Sequence, residues 1–100
     1  MAIIYEITGT VDPELAGRFE NYMLERHIPD LMRTGCFVSA DIAKSANRYQ
    51  MRYTADSTER LDEYLAIYAN DLRADFAENF PAGISVSREV WESISTDPGI

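Results

Sequence analysis

Apolar and polar side chains alternate from residue 2 to residue 11, with Ile3, Tyr5 and Ile7 on one side and Glu6, Thr8 and Thr10 on the other. A period of two predicts a half-buried strand, because successive strand side chains point to opposite faces. The pattern then changes. Asp12, Pro13 and Glu14 supply an N-cap, a proline tolerated in a first turn, and an acidic group suited to the positive end of a helix. Leu15, Phe19, Met23, His27 and Leu31 recur at helical spacing with Tyr22 beside them, which puts the chain's only histidine on the buried side of a first helix. Pro29 has no amide hydrogen and its ring crowds the preceding turn, so a kink or stop is expected near His27, with Gly35 closing the segment.

Alternation returns over residues 36–43, where Val38, Ala40 and Ile42 oppose Phe37, Ser39 and Asp41. After the short polar turn 44–48, residues 48–55 alternate again, Tyr49, Met51 and Tyr53 against Gln50, Arg52 and Thr54, which predicts an antiparallel hairpin. Asp56 and Glu59 have the spacing of a capping box. Leu61, Leu65, Tyr68, Leu72 and Phe76 form the stripe of a second helix that ends at Asn79, Pro81 and Gly83. Residues 84–92 read as a last strand, with Ile84, Val86 and Val90 against Ser85, Ser87, Glu89 and Trp91. Residues 96–100 read as a flexible tail after a single domain over 1–95.

The order strand, helix, strand, strand, helix, strand is that of an α+β, ferredoxin-like βαββαβ fold: a four-stranded antiparallel sheet with two helices on one face. The covered face then carries Ile3, Tyr5, Ile7, Val38, Ile42, Tyr49, Met51, Tyr53, Ile84, Val86 and Val90. The open face carries Ile4, Glu6, Thr8, Phe37, Ser39, Asp41, Gln50, Arg52, Ser87, Glu89 and Trp91. Burying a large apolar side chain is worth roughly 1.5 to 3 kcal/mol, so Phe37, Ile4 and Trp91 predict a partner surface. A homodimer packed sheet to sheet, using the same patch twice, is the expectation.

Nine basic against seventeen acidic residues give a net charge of -8, with no Lys or Arg cluster. That argues against nucleic-acid and anionic-membrane partners. No apolar run approaches the roughly 20 residues of a membrane span, and the start lacks a signal-peptide pattern, so a cytoplasmic protein is expected. Cys36 is the single cysteine and cannot form an intrachain disulfide; with one histidine it cannot make a four-ligand zinc site, so no metal or other cofactor is expected.

Three sets of residues carry candidate chemistry. His27 is suited to act as a general base or a haem ligand, or instead caps carbonyls at a kinked helix end. Glu6, Arg52, Glu89 and Asp41 fall in one row if the first strand lies between the third and fourth; they make either an acid/base pair or an interface ion network. The tyrosines 5, 22, 49, 53, 64 and 68 with Trp91 line an aromatic pocket or, for Tyr5, Tyr49, Tyr53 and Tyr68, pack the core. Cys36 is expected to be buried as a small hydrophobe, and Asp71, Asp75 and Glu78 with Arg73 to form a solvated helix face.

Tyr5, His27-Ile28-Pro29, Thr34-Gly35-Cys36-Phe37, Tyr49, Tyr53 and the helix from Leu61 to Phe76 resemble an uncharacterised bacterial family, a domain of unknown function, over residues 3 to about 93. Its members look like the dimeric α+β barrel group, which includes small monooxygenases, dye-peroxidase-like haem proteins, lactone isomerases and polyketide cyclases. The resemblance implies the fold and a dimer but brings no established reaction. The first expectation is therefore a homodimer of unknown function. The second is a cofactor-independent monooxygenase, isomerase or cyclase acting on a small organic molecule. His27 would be its base, Glu6, Arg52 or Tyr22 would position substrate, and Trp91 and Glu89 would contact ligand. A ligand-binding or structural module is the third.

Overall fold

The computed structural model describes residues 1–94 of the 100-residue chain, so the expected tail at 96–100 lies outside the described residues. Four strands, β1 (Ile3–Val11), β2 (Ser39–Ser45), β3 (Arg48–Ala55) and β4 (Ile84–Glu92), form one sheet in the order β2-β3-β1-β4. Every neighbouring pair is antiparallel. A first helix over 13–33 connects β1 to β2, and a second over 58–79 connects β3 to β4. Both helices pack on one sheet face, giving the ferredoxin-like arrangement. No helix is long and apolar enough to cross a membrane among the described residues.

Register decides which residues share a face. Tyr5 pairs with Tyr53 and Val90, and Ile7 with Met51 and Arg88, on the helix side; Glu6 pairs with Arg52 and Glu89 on the open side. The core consists of Ile3, Tyr5, Val11, Tyr49, Met51, Tyr53 and Ala55 from the sheet, closed by Phe19, Tyr22, Met23, Leu31, Leu61, Tyr64, Ala69 and Phe80. Gly83 stands just before β4 with φ +92, and its carbonyl accepts from the Asp12 amide at 2.9 Å, which fastens the start of the first helix to the start of β4. A Cβ at Gly83 would lie 2.5 Å from Leu15 Cδ1, so a side chain there must push Leu15 aside as well as adopt a positive φ.

The helices depart from the expected regular spiral. The first does not stop or break near His27. It passes from Ala16–Tyr22 through a π-helical turn at Met23–His27, where the Ile28 amide reaches back to the Met23 carbonyl, and continues as Ile28–Arg33. Widening the turn in this way accommodates Pro29 without ending the helix. The second helix has its own π turn at Tyr64–Tyr68, with the Ala69 amide bonded to the Tyr64 carbonyl. That extra residue per turn rotates Leu65 outward and brings Tyr64 into the core, correcting the expected stripe. The cap of the second helix is Ser57, whose Oγ accepts from the Arg60 amide at 3.3 Å, rather than Asp56. Asp12 occupies the first N-cap without a side-chain capping bond.

β2 begins at Ser39, so the alternation cannot be extended back through residues 36–38. Phe37 is consequently in the core, with ring centroids 4.9 Å from Tyr64 and 5.7 Å from Tyr53, while Val38 is 63% exposed. Both residues lie opposite to expectation. Cys36 is buried beside them. β4 is an edge strand that the helices cover only in part: Val86 (40% exposed) and Val90 (53%) sit on the helix side by register but remain exposed.

Candidate functional site

Between the helices and the sheet lies a cleft of about 80 Å³ whose walls come from both layers. β1 and β3 supply Tyr5, Ile7, Met51 and Tyr53; the first helix supplies Phe19, Met23 and His27; the second supplies Tyr64, Arg73 and Phe76; and β4 supplies Val86 and Arg88. The two π turns account for part of this convergence, because Met23, His27 and Tyr64 all belong to them. π turns are uncommon and recur at functional sites, where the widened backbone turns a side chain inward.

Two polar atoms in these walls have no partner. His27 is 8% exposed and its Nδ1 is unbonded; Tyr53 is 0% exposed and its hydroxyl is unbonded. His27 therefore does not cap helical carbonyls. Its ring lies against Tyr22 at 5.8 Å and Phe76 at 6.0 Å between centroids, and burial lowers its pKa below the ordinary 6.5 despite the opposing charges of Asp75 and Asp30. The imidazole is thus neutral at neutral pH. Burial likewise raises Tyr53, with Tyr64 and Tyr5 adding to the effect. Tyr64 is pushed up to about 12, chiefly by burial.

A hydrogen-bonded network holds the helix pair on the flank of the cleft. The Tyr22 hydroxyl donates to Asp75 Oδ2 at 2.6 Å, and Arg26 pairs with the other carboxylate oxygen. The bond from Tyr22, aided by Arg26, holds the Asp75 carboxyl below its ordinary 3.8, and burial followed by that same bond raises Tyr22. On the mouth side, Arg73 donates to the Tyr5 hydroxyl at 3.0 Å.

The remaining candidates from sequence lie on the opposite sheet face. Asp41, Arg52, Glu6 and Glu89 do form one row across β2, β3, β1 and β4. Arg52 Nε approaches Glu6 Oε2 at 3.4 Å without hydrogen-bond geometry, and Gln50 Nε2 donates to the same oxygen at 3.0 Å. Trp91, 46% exposed, lies one row away beside Ile4. None of these residues lines the cleft. Of the tyrosines, Tyr5, Tyr53 and Tyr64 are cleft walls, Tyr49 packs on Phe19 at 4.8 Å, and Tyr68 lies elsewhere. Arg88 escaped sequence reasoning. Its signal was a charge in the middle of the helix-side positions of β4, between Ile84 and Val86 on one side and Val90 on the other, before Glu92 ends the strand. No group of three or more His, Cys, Asp or Glu able to hold a metal occurs among the described residues.

Fold and site together define a ferredoxin-like α+β protein with an aromatic-walled cleft between its helices and its sheet. The chain belongs to the family described as domain of unknown function (DUF4286), whose model matches residues 2–94. No curated protein matches it. Among solved structures it is similar to a variant of SnoaB, a cofactor-independent oxygenase from Streptomyces nogalater, with TM-score 0.77 and 17% identity over 97% of each chain. It is similar also to MupZ from Pseudomonas fluorescens, with TM-score 0.75 and 10% identity over 99% of this chain and 97% of the other. A dimeric ferredoxin-like protein from an uncultured marine organism matches with TM-score 0.71 and 14% identity, over 97% of this chain and 98% of the other. At these identities the likeness establishes the fold.

Proposed function

We propose that the protein is a cytoplasmic, homodimeric, cofactor-independent enzyme that opens its reaction on a small organic molecule by taking a proton with His27 in the helix–sheet cleft. One observation carries this reading: His27 Nδ1 and the Tyr53 hydroxyl, both more than nine-tenths buried, lack partners within otherwise largely apolar walls. An unpartnered buried polar group costs roughly 1–3 kcal/mol, and most buried groups avoid it. A ligand hydroxyl or carbonyl bonded to them relieves that penalty.

His27 is kept neutral, so it is available as a base at neutral pH. Proton transfer from an activated C–H or O–H to Nδ1 leaves the electron pair on the substrate as an enolate or phenolate, with the Tyr53 hydroxyl as hydrogen-bond donor. Return of the proton to a different atom completes an isomerisation; reaction of the anion with molecular oxygen leads to oxygenation. The fold likeness to SnoaB, described as a cofactor-independent oxygenase, is compatible with the second course. Tyr22 is a positioning residue, bound to Asp75 and packed on the His27 ring.

Glu6, Arg52, Glu89 and Trp91 belong in this reading to the dimer interface. Ile4 and Trp91 supply its apolar centre and the Asp41–Arg52–Glu6–Glu89 row its polar register. Pairing through this face leaves both clefts accessible, since they open on the other side of each sheet. The fold likeness to a dimeric ferredoxin-like protein supports the assembly.

Deuterium exchange into 2-indanone at neutral pH in heavy water, followed by proton NMR, tests the catalytic step. Exchange above the buffer rate by wild type, lost in His27→Gln, is the expected result; equal rates for the two proteins would overturn it.

A further inference from the structure

The charge of the cleft runs against the charge of the chain. Acidic residues outnumber basic ones seventeen to nine, yet the cleft is lined by two arginines and by no Asp or Glu. Arg26, Arg33, Lys44, Arg52 and Arg60 approach carboxylates as ion pairs, whereas Arg18, Arg48, Arg73 and Arg88 form none among the described residues, and of these four only Arg73 and Arg88 line the cleft. Folding does not account for Arg88. It stands beside Ile7 and in the same row as Met51, on a strand whose other helix-side positions are Ile84, Val86, Val90 and, at the strand's end, Glu92. Arg73 arrives from the second helix and is oriented by its 3.0 Å bond to the hydroxyl of the buried Tyr5. Two guanidinium groups thus converge from different elements on an aromatic hole.

We infer that the cleft is built for a planar organic carboxylate. Arg73 and Arg88 hold its acid group at the mouth, Tyr5, Phe19, Met51 and Phe76 enclose its ring, and a polar substituent meets His27 and Tyr53. The inference rests on the reading of this cleft as a ligand site. Guanidinium–carboxylate contacts supply both strength and planar orientation. At about 80 Å³ the cleft is smaller than the roughly 150 Å³ of an apolar cavity that takes up benzene, so a ring enters it only in part and its acid group stays outside.

The test uses 4-hydroxybenzoate, its neutral isostere 4-hydroxybenzamide and inorganic phosphate, titrated into the full chain and followed by amide NMR. Wild type is compared with Arg88→Gln, an exposed edge-strand change that leaves the core intact, and with Arg48→Gln on the open face as control. Wild type should bind the acid about tenfold more tightly than the amide, and Arg88→Gln should remove that preference without weakening the amide, while Arg48→Gln changes nothing. Equal affinity for acid and amide, or a preference that survives Arg88→Gln, overturns the inference. Phosphate shifting the same cleft resonances as strongly as the acid overturns it too, by removing the ring from recognition. If the amide alone binds, the carboxylate inference falls and the ligand-site reading stands; if neither aromatic compound binds, both fall.

Discussion

The Tyr53→Phe substitution is expected to make the free protein more stable and a poorer binder at the same time. Tyr53 is fully buried, and its ring is locked between Tyr5 and Phe37 at centroid distances of 6.3 and 5.7 Å. Removing the hydroxyl leaves these contacts in place. It also removes a buried polar atom that has no protein partner, worth roughly 1–3 kcal/mol of desolvation penalty. The small void left by one oxygen, about 10 Å³ at roughly 24 cal/mol per Å³, returns only about 0.2 kcal/mol of that gain. A net stabilisation of about 1–3 kcal/mol follows, corresponding to a rise in Tm of roughly 4–8 °C per kcal/mol for a chain of this size.

Tyr22→Phe is the matched control with the opposite sign. Its hydroxyl donates to Asp75 Oδ2 at 2.6 Å, so the same chemical change removes a charge-assisted bond and destabilises by about 1–3 kcal/mol. Urea denaturation with unchanged m-values reads both variants on one scale. Tyr53→Phe losing 1 kcal/mol or more would mean that its hydroxyl is satisfied, and the case for a ligand group at that point would collapse. If the variant gains stability but no longer shifts with 4-hydroxybenzoate, the residue shows the trade between stability and function typical of binding sites.

His27, the only histidine, gives a single imidazole signal, and its NMR titration midpoint should fall below 6.5; a midpoint at or above that value contradicts its burial. With the folded value depressed, the unfolded chain binds the proton first, so His27 contributes stability above pH 6.5 that is lost as pH falls through the folded value, and His27→Gln should abolish that part of the slope. Glu20, held below its ordinary 4.5 by hydrogen bonds from Tyr49 and then Lys44, follows the carboxylate case. Its contribution is present above about pH 4.5 and lost below it, so the acid limb of Glu20→Gln should be shallower; superimposed curves would remove Glu20 from the account. Light scattering at micromolar concentration should give a dimer for wild type and a monomer for Trp91→Glu, and a clean wild-type monomer sinks the open-face interface. Gly83→Ala should destabilise by roughly 1–3 kcal/mol in the same urea assay, from positive φ and the Leu15 contact together, and a neutral result would deny that strain.

Strands were the legible part of the sequence, because period-two alternation survives wherever the backbone is regular. The expected limits of β1, β3 and β4 agree with the observed ones to within a residue, and the row joining Asp41, Arg52, Glu6 and Glu89 follows from strand order alone. Alternation failed at Phe37 and Val38, where residues 36–38 form an irregular lead-in to β2 and have no fixed side-chain phase. Helical spacing failed at Leu65 for a related reason: it lies inside a π turn, whose extra residue turns it outward, while Tyr68, Leu72 and Phe76 of the same stripe still pack on the core.

The cleft was hidden by the same two effects acting together. Tyr5 and Tyr53 have the spacing of core residues, and they are core residues; what makes them cleft walls is that the layer above them does not close. Regular helices would place a full stripe of side chains against the sheet, but both helices widen at their middles, at Met23–His27 and Tyr64–Tyr68. Met23, His27 and Tyr64 come from those widened turns, and the space they border is the cleft. Pro29 has a part in this on the first helix, since its ring crowds the turn that π geometry relaxes. The proline that signalled a helix end in the sequence is better understood as the residue that favours an open turn beneath His27. Hydrogen exchange should then find the amides of 23–28 exchanging faster than those of 16–22, and equal protection across the two segments would argue that the π turn is as rigid as ordinary helix.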